Sequence, residues 1–458
     1  MGAPLLLISL FLAFPWQAHS VSSIGPRAFR DLSTDAISAL VNHPDPVRNV
    51  DSSNPNSHLS KILIPRPPDT ANNTLVKDYL VSTMKKLNWH VEEDSFTDST
   101  PYGEKRFTNV IATKDPAALR RVVVAAHFDS KFFSTSPADQ FVGATDSAAP
   151  CAFMLDLAET LDPLLNQRKE RLEAGEEDDE DIADTTLQLI FFDGEEAYKD
   201  WTATDSLYGS RHLAKKWSSS YIAPHTKRRM LPYPSTTEIS TIEHFILLDL
   251  LGAPKPTIRS SFRETGWLFD AMVSVERRLA EHGAFTYDGD KATTKDSWTS
   301  FFMTRTGMEF GGGIEDDHIP FYRLGVDILH IIANPFPRVW HRLEDDATAL
   351  DIPTMRRWNL ILRVLMSEYL GLRPNDGSHS SRTSDSYVER DTTELVSEPN
   401  SPVSLVHSFA LVEPFKTRGP MTETLGYFMH SGTDIISSIV FCISTAVFTP
   451  SFVFPRLW

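Results

Sequence analysis

Short runs of almost continuously apolar residues, separated by stretches with helical periodicity, are the feature that most constrains how this chain folds. Strands covered on both faces read in this way, because neither face of such a strand meets water. Five runs are predicted to be strands: residues 107–113, 122–126, 187–192, 245–250 and 326–332. Their alternation with helical stretches predicts an α/β fold with a largely parallel sheet, whose functional groups lie beyond the carboxyl ends of the strands.

Three helices are predicted around these strands. Apolar residues recur at helical spacing across residues 154–161 and again across residues 268–279. A last helix is predicted to begin at Asp351, because Pro353 then falls in its first turn, and to end at Gly371. The folded domain predicted from these elements extends over residues 56–373.

The first 20 residues read as a signal peptide for secretion. Residues 5–14 are apolar, and the small residues Ala18 and Ser20 follow where a signal peptidase would cut. The apolar run is too short to span a bilayer as a helix, which takes about 20 residues. The protein is therefore expected to enter the secretory pathway and to be released outside the cell.

Three further segments are recognised by their amino-acid composition. Residues 21–55 are polar and contain proline, and they are predicted to form an N-terminal arm with a short helix. An acidic insert at residues 166–184 is predicted to be a solvated loop or a helix extension within the domain. Residues 374–434 form a polar tail that is predicted to be disordered.

Residues 435–454 contain no charged side chain and are just long enough to cross a bilayer. Ser and Thr residues and Pro450 interrupt the segment, which weakens it as a span. Three interpretations stay open: a membrane anchor, a signal for a glycolipid anchor, and a segment with no bearing on the folded domain. Membrane association through this segment is therefore the alternative to a freely secreted protein.

Charge and cysteine count exclude two classes of protein. A formal net charge of −17 argues against a nucleic-acid partner, because binding phosphates requires clustered Lys and Arg. The two cysteines, Cys151 and Cys442, are too few for a scaffold held together by disulfides.

Acidic and imidazole side chains occur close to the ends of several predicted strands. In chain order they are His127, Asp129, Asp146, Glu195, Glu196, Asp249 and His341. Two carboxylates and an imidazole that converge there would hold a zinc ion with an open fourth position. In the adjacent glutamate pair, one carboxylate can bind metal while its neighbour acts as general acid and base. Taken singly, such residues are more often helix caps, surface charges or structural imidazoles, so the prediction depends on their ordered occurrence.

Six motifs accompany this ordered set: GATDSAAPC (143–151), FFDGEEAYKDW (191–201), DSLYGSRHLA (205–214), LLDLLGAPKP (247–256), EDDHIPFYRLGVDILH (315–330) and PFPRVWH (335–341). The chain thereby resembles the zinc-dependent aminopeptidase superfamily and, more closely, its glutaminyl-peptide cyclotransferase branch. The resemblance covers residues 56–373 and implies a catalytic domain of three α/β/α layers, with a central mixed, largely parallel twisted sheet of the zinc aminopeptidase type.

The resemblance also assigns roles to particular residues, and it implies one Zn²⁺ ion per chain. The residues that carry over are the zinc ligands Asp146, Glu196 and His341, the general acid and base Glu195, the hydrogen-bonding acids Asp249 and Asp316, and the substrate-pocket aromatics Trp201 and Trp340. Some members of the family pair the cysteine that matches Cys151 with a second one at the position of Ala126. That disulfide is therefore expected to be absent from this chain.

The reaction that the resemblance implies converts N-terminal glutaminyl residues of peptides or proteins to pyroglutamyl and releases ammonia, in a chain expected to be a monomer. The main alternative is a two-zinc aminopeptidase, because His127 and Asp249 stand where ligands of a second metal would be. Trp201, Trp340 and residues 316–318 favour the cyclotransferase. A binding protein without activity is a second alternative, which the complete set of ligands and acid/base group disfavours.

Overall fold

The computed structural model describes residues 30–176, 184–226, 235–287, 297–307 and 313–374. The predicted signal peptide, nearly all of the polar tail and the segment 435–454 lie outside the described residues. Residues 177–183 of the acidic insert also lie outside them, whereas residues 166–173 continue a long helix.

A mixed sheet forms the middle of the described structure. Its 6 strands are β1 (His90–Thr100), β2 (Gly103–Thr113), β3 (Arg120–His127), β4 (Thr185–Phe192), β5 (Ile242–Asp249) and β6 (Ile328–Ile332). They lie in the order β1-β2-β4-β3-β5-β6, in which β4, β3, β5 and β6 are parallel and the other two pairings are antiparallel. The prediction of a mixed, largely parallel sheet is confirmed, and each predicted strand matches one of β2 to β6.

The apolar runs do not predict β1. This strand lies at one edge of the sheet and pairs with β2 alone, and Asp94 and Thr100 are its only buried residues. A strand with a solvent-exposed face does not need a continuous apolar run, so its sequence pattern is harder to recognise.

Helices flank the sheet. They are α1 (Thr34–Asn42), α2 (His58–Ile62), α3 (Ala71–Lys86), α4 (Ala149–Glu173), α5 (Tyr208–Ser219), α6 (Gly266–Glu281), α7 (Ile319–Tyr322) and α8 (Ile352–Tyr369). The three predicted helices correspond to α4, α6 and α8. At the start of α8 the carboxylate of Asp351 accepts the N–H of Thr354 at 2.9 Å, and beyond its end Gly371 takes a left-handed conformation with φ 61°. Within the described ranges, no helix combines the length and the apolar character that crossing a membrane requires.

Alternate residues of the parallel strands point to opposite faces of the sheet. Val122 and Val124 of β3 belong to the larger apolar cluster, together with residues of α4, α6 and α8. Val123 belongs to a second cluster with Leu213 of α5 and Phe321 of α7. Helices therefore cover both faces, which confirms the three-layer α/β/α prediction and explains why the predicted runs within these strands are almost continuously apolar.

A buried ion pair attaches the N-terminal arm to the domain. Arg363 of α8 has no exposed surface and donates two hydrogen bonds to Asp156 of α4, at 2.9 and 2.8 Å. The same guanidinium donates to the carbonyl oxygens of Leu40 at 3.0 Å and Pro44 at 2.7 Å. One arginine thus joins α1 and the segment after it to two helices that pack on the sheet.

Candidate active site

The carboxyl ends of adjacent parallel strands bring the predicted site residues together. His127 is the last residue of β3, and Asp249 is the last residue of β5. Glu195 and Glu196 come soon after β4, which lies beside β3 in the sheet. Asp146 lies in the turn that leads into α4. The strand order and the turn before α4 therefore place four carboxylates and an imidazole at one edge of the sheet.

Asp146, Glu196 and His341 form a set of candidate metal ligands. One donor atom from each lies within 4.8 Å of the others. The imidazole Nε2 of His341 is 3.1 Å from Oε1 of Glu196 and 3.4 Å from Oδ2 of Asp146. Two carboxylates and one imidazole are a donor set that zinc accepts, with the fourth position open to a ligand.

Two observations show that these residues fit a divalent cation. Oδ2 of Asp146 is buried and accepts no hydrogen bond from the described residues. Burial lowers the pKa of His341, but the charge of Glu196 and the contact with Asp146 outweigh this and raise that pKa to about 9. The two carboxylates therefore favour positive charge between them, and a metal ion would supply it.

His127, Asp146 and Asp249 form a second candidate set, which shares Asp146 with the first. Nε2 of His127 is 3.1 Å from Oδ1 of Asp146 and 3.6 Å from Oδ1 of Asp249. That oxygen of Asp249 already accepts hydrogen bonds from the hydroxyl of Ser147 and, at 2.8 Å, from the N–H of Leu250. The oxygen of Asp249 that faces His127 is thus already hydrogen-bonded within the protein.

A third set, Asp316, His318 and His330, is fully buried. Oδ2 of Asp316 lies 2.8 Å from Nε2 of His330, and Oδ1 accepts the N–H of Asp317 at 2.6 Å. Both oxygens of Asp316 are therefore already in use. Its charge nevertheless raises the pKa of its neighbours, as described below, so it belongs to the surroundings of the site.

Asp129 fixes the backbone of the glutamate pair. Its two carboxylate oxygens face the backbone N–H groups of Glu195 at 3.2 Å and Glu196 at 3.4 Å. Gly194, just before the pair, has φ 78°, and a Cβ there would lie 2.5 Å from the ring of Phe107. The turn after β4 therefore requires glycine, and the two side chains leave it in defined directions.

Burial dominates the electrostatics of the acidic residues. Burial raises the pKa of Glu195 well above its ordinary value; the charge of His127 opposes the shift, and the charge of Glu196 adds to it. Burial and the charge of Asp316 raise the pKa of Asp249 to about 6. A raised pKa of this kind is typical of carboxyl groups that act as general acids and bases.

A cleft of about 550 Å³ opens above these residues. Of the predicted site residues it is lined by Asp146, Glu195, Glu196, Trp201, Asp249, Trp340 and His341. Trp201 and Trp340 are each 40% exposed, while the acidic residues beneath them are buried. The ring of Trp340 stacks on His341 with centroids 3.9 Å apart, and the indole N–H of Trp201 donates to Oε2 of Glu315 at 3.1 Å. Asp316 is the predicted residue that does not line the cleft.

Lys131 lines the cleft as well, although the sequence did not single it out. Its ammonium group lies 3.3 Å from Oε2 of Glu196 and donates to the carbonyl oxygen of Ala197 at 3.1 Å. It therefore holds one oxygen of Glu196 while the other faces His341. A single lysine in a loop carries no signal of its own, because its partner is 65 residues away in the chain.

The chain is similar to known proteins in both sequence and fold. A sequence model of Peptidase family M28 matches residues 109–366. A glutaminyl-peptide cyclotransferase-like protein of Bos taurus is 45% identical over 319 residues, which is 69% of this chain and 75% of the relative. A glutaminyl-peptide cyclotransferase of Bos taurus is 40% identical over 316 residues, 69% of this chain and 81% of the relative. The crystal structure of Macrostomum lignano glutaminyl cyclase superposes with a TM-score of 0.62 at 35% identity, covering 77% of this chain and 98% of that one.

Proposed function

Since this chain belongs to Peptidase family M28 and, within it, to the glutaminyl-peptide cyclotransferases, we propose that Glu195 moves the protons of the reaction beside one zinc ion. The protein is an acyltransferase that converts N-terminal glutaminyl residues to pyroglutamyl and releases ammonia. Its substrates are peptides or proteins that begin with glutamine, and no nucleic acid takes part. The observation that carries the site assignment is the open-sided set of three metal donors at the floor of the cleft.

Asp146, Glu196 and His341 would hold the zinc ion. When bound there, zinc supplies a Lewis acid toward the side-chain carbonyl of the substrate glutamine. Lys131 steadies the second oxygen of Glu196, so that the first stays directed at the metal position. A single ion is favoured because Ser147 and Leu250 already donate to the oxygen of Asp249 that faces His127.

Glu195 would act as general base and then as general acid. The substrate's own α-amine is the nucleophile, so the attack is intramolecular and proximity supplies much of the rate. Glu195 takes a proton from that amine and delivers one to the departing nitrogen, which leaves as ammonia. Its backbone is fixed by Asp129, and its side chain lines the cleft. The resemblance implies that Asp316, with Asp249 behind it, helps to hold the leaving nitrogen and keeps a proton in the network. Because Asp249 lines the cleft and Asp316 does not, the order proposed for this chain is the opposite, with Asp249 facing that nitrogen.

Trp201 and Trp340 would form the wall of the substrate pocket. Both are large rings at the mouth of the cleft, and Trp340 is packed against the ligand His341. Two such rings exclude water from the small glutamine side chain and confine it over the metal position. Exclusion of water matters, because the competing reaction is hydrolysis of the side-chain amide.

An assay with a dipeptide that begins with glutamine tests the function against its alternatives. Release of ammonia without free amino acid is expected, together with a metal content of about one zinc per chain. Release of the first amino acid, with two zinc ions, would instead identify an aminopeptidase of the same fold. If folded, zinc-loaded protein releases neither ammonia nor an amino acid, the chain is a binding protein without activity.

We further propose that the enzyme is secreted and works as a monomer. Residues 1–20 have the features of a signal peptide, whereas the segment 435–454 offers a membrane anchor as the alternative. Fractionation of cells that express the full chain distinguishes the two outcomes. Full-length enzyme in the detergent-free medium supports secretion, and enzyme that sediments with membranes supports the anchor.

A further inference from the structure

The loop that carries Trp201 folds around a single carboxylate. We propose that Asp205 is a positioning residue for substrate binding, because its carboxylate fixes the backbone that presents Trp201 to the cleft. This inference rests on the substrate-binding role proposed for Trp201. Asp205 is itself buried and lies outside the residues that line the cleft.

Four donors converge on the carboxylate of Asp205. Oδ1 accepts the N–H of Tyr198 at 2.9 Å and the hydroxyl of Tyr208 at 2.7 Å. Oδ2 accepts the N–H groups of Lys199 at 2.9 Å and Asp200 at 3.0 Å. Three consecutive backbone N–H groups thus bind one charged acceptor, and such charge-assisted hydrogen bonds are about twice as strong as neutral ones. The next residue along the chain is the cleft tryptophan.

The chain is held on the other side of Trp201 as well. The hydroxyl of Thr202 accepts the N–H of Asp205 at 2.9 Å, and the hydroxyl of Ser206 donates to the carbonyl oxygen of Thr202 at 2.8 Å. The base of the loop is closed by the N–H of Leu207, which donates to the carbonyl oxygen of Glu195 at 2.8 Å. The loop is therefore anchored before and after the tryptophan, and Asp205 takes part in both anchors.

Packing alone does not hold Trp201, because 40% of its surface is exposed. Its indole N–H has one described partner, Glu315, at 3.1 Å. The position of the ring consequently depends on the backbone beneath it. An asparagine at position 205 offers a single acceptor oxygen and turns an NH₂ group toward two of the donors, so it breaks up the arrangement at almost constant volume.

Steady-state kinetics of Asp205→Asn on a glutamine-initiated peptide test the proposal. We expect KM to rise about five-fold while kcat stays within about two-fold, because the wall of the pocket is displaced and the proton-transfer group is not. The matched control is Asp200→Asn, which removes an equal charge from the same loop but keeps the carboxylate at position 205. Asp200 lines the cleft, so its effect measures the loss of a charge beside the substrate while the contacts of Asp205 are kept, and it is expected to be smaller. Zinc content and thermal unfolding establish that each variant is folded.

A double-mutant cycle with Trp201→Ala identifies the route of the effect. If Asp205 acts through the tryptophan, Asp205→Asn raises KM less than about two-fold in the Trp201→Ala background. Additive effects would overturn the proposal, and so would an unchanged KM in folded Asp205→Asn. If Trp201→Ala itself leaves KM unchanged, the substrate-binding role of Trp201 is wrong and the role of Asp205 falls with it. Should Asp205→Asn fail to fold, Tyr208→Phe takes its place in the cycle, because it removes one donor from the same carboxylate.

Discussion

Glu195 and Glu196 are neighbours in the chain, yet their surroundings give them separate tasks. Oε1 of Glu196 lies 3.1 Å from His341 and its Oε2 lies 3.3 Å from Lys131, so both of its oxygens have cationic or imidazole partners. Glu195 lines the cleft, and burial raises its pKa well above the ordinary value. One carboxylate is therefore suited to metal and the other to a proton, although nothing in the residue types distinguishes them.

Substitution of either glutamate by glutamine separates the two roles. Glu195→Gln should lower kcat by about 10² to 10⁴-fold and leave the zinc content unchanged, because only the proton-transfer group is lost. Glu196→Gln, the same change one residue later, should lower the zinc content, because a neutral amide replaces a charged ligand. Activity assays and metal analysis of both purified variants check this. Retained turnover in Glu195→Gln would show that another group moves the protons.

Single residues could be predicted from the sequence where they follow a strand, and not where their role depends on a distant partner. His127, Asp146 and Asp249 were found because each stands next to a predicted strand or helix. Asp129 was noticed as part of the ordered set, but its contact with the backbone of Glu195, 66 residues away, became visible only in the fold. Asp205 begins the motif 205–214, but its contacts with the backbone of residues 198–200 also became visible only there. Lys131 belongs to no motif, since a lone charge in a loop has no pattern to mark it.

At the scale of elements, the junction between β3 and α4 lacks the disulfide found in some relatives. Cys151 lies in α4 as a buried free thiol, as expected, and its Sγ donates to the carbonyl oxygen of His127 at 3.2 Å. Burial raises the pKa of that thiol to about 12, so it is chemically inert in the folded protein. The end of β3 and the start of α4 are thus in contact without a covalent link.

Replacing Ala126 with cysteine should therefore create a stabilising disulfide to Cys151. The disulfide would close the loop between residues 126 and 151, and a loop of that length is expected to raise the free energy of unfolding by about 3 kcal/mol. Denaturant unfolding with and without reductant measures the gain. The control is Ala126→Cys combined with Cys151→Ser. This variant has the same larger side chain at position 126 but no second thiol with which it could form a disulfide. Equal midpoints with and without reductant would show that the two positions do not meet the geometry of a disulfide.

The ion pair between Arg363 and Asp156 is the second element-scale feature with a testable consequence. Removing one partner leaves an uncompensated charge in the interior, so Arg363→Met should lower the free energy of unfolding by about 3–5 kcal/mol. Adding Asp156→Leu to that variant should restore part of the loss, because the buried charge is then gone as well. Denaturant unfolding of the single and double variants checks the prediction. A loss below about 1 kcal/mol in Arg363→Met would mean that water reaches the pair.

The predicted strands could be found for the same reason that they are buried, because two covered faces favour apolar side chains at most positions. The outer strand β1, with Asp94 and Thr100 as its buried residues, could not be found by that rule. The helices α4, α6 and α8 carry long apolar stripes or clear end signals, whereas α5 begins after Leu207 in a left-handed conformation, without a side-chain cap. Its start therefore depends on the loop that precedes it, which the sequence pattern does not describe.

At the scale of the whole molecule, removal of the metal should affect stability as well as activity. Asp146 and Glu196 belong to the same candidate set, and without a cation their charges repel across it. Dialysis against a chelator should abolish cyclisation and lower the melting temperature, since an ion that binds only the folded state stabilises it by about 2.7 kcal/mol at 100 times its Kd. Titration with Zn²⁺ should restore both at about one equivalent. A requirement for a second equivalent would revive the two-zinc alternative.

The depth of the cleft also has a consequence for the timing of the modification. Glu195 and Asp249 lie buried at its floor, while Trp201 and Trp340 form an exposed mouth. Only the free end of a chain reaches such a floor, so a glutamine in mid-sequence is ignored until a protease cuts directly before it. The enzyme is therefore expected to act after proteolysis. A pyroglutamyl group then indicates that a longer precursor was cleaved directly before the glutamine. Because the new terminus carries no α-amine, it has also lost the positive charge by which other enzymes recognise the start of a chain.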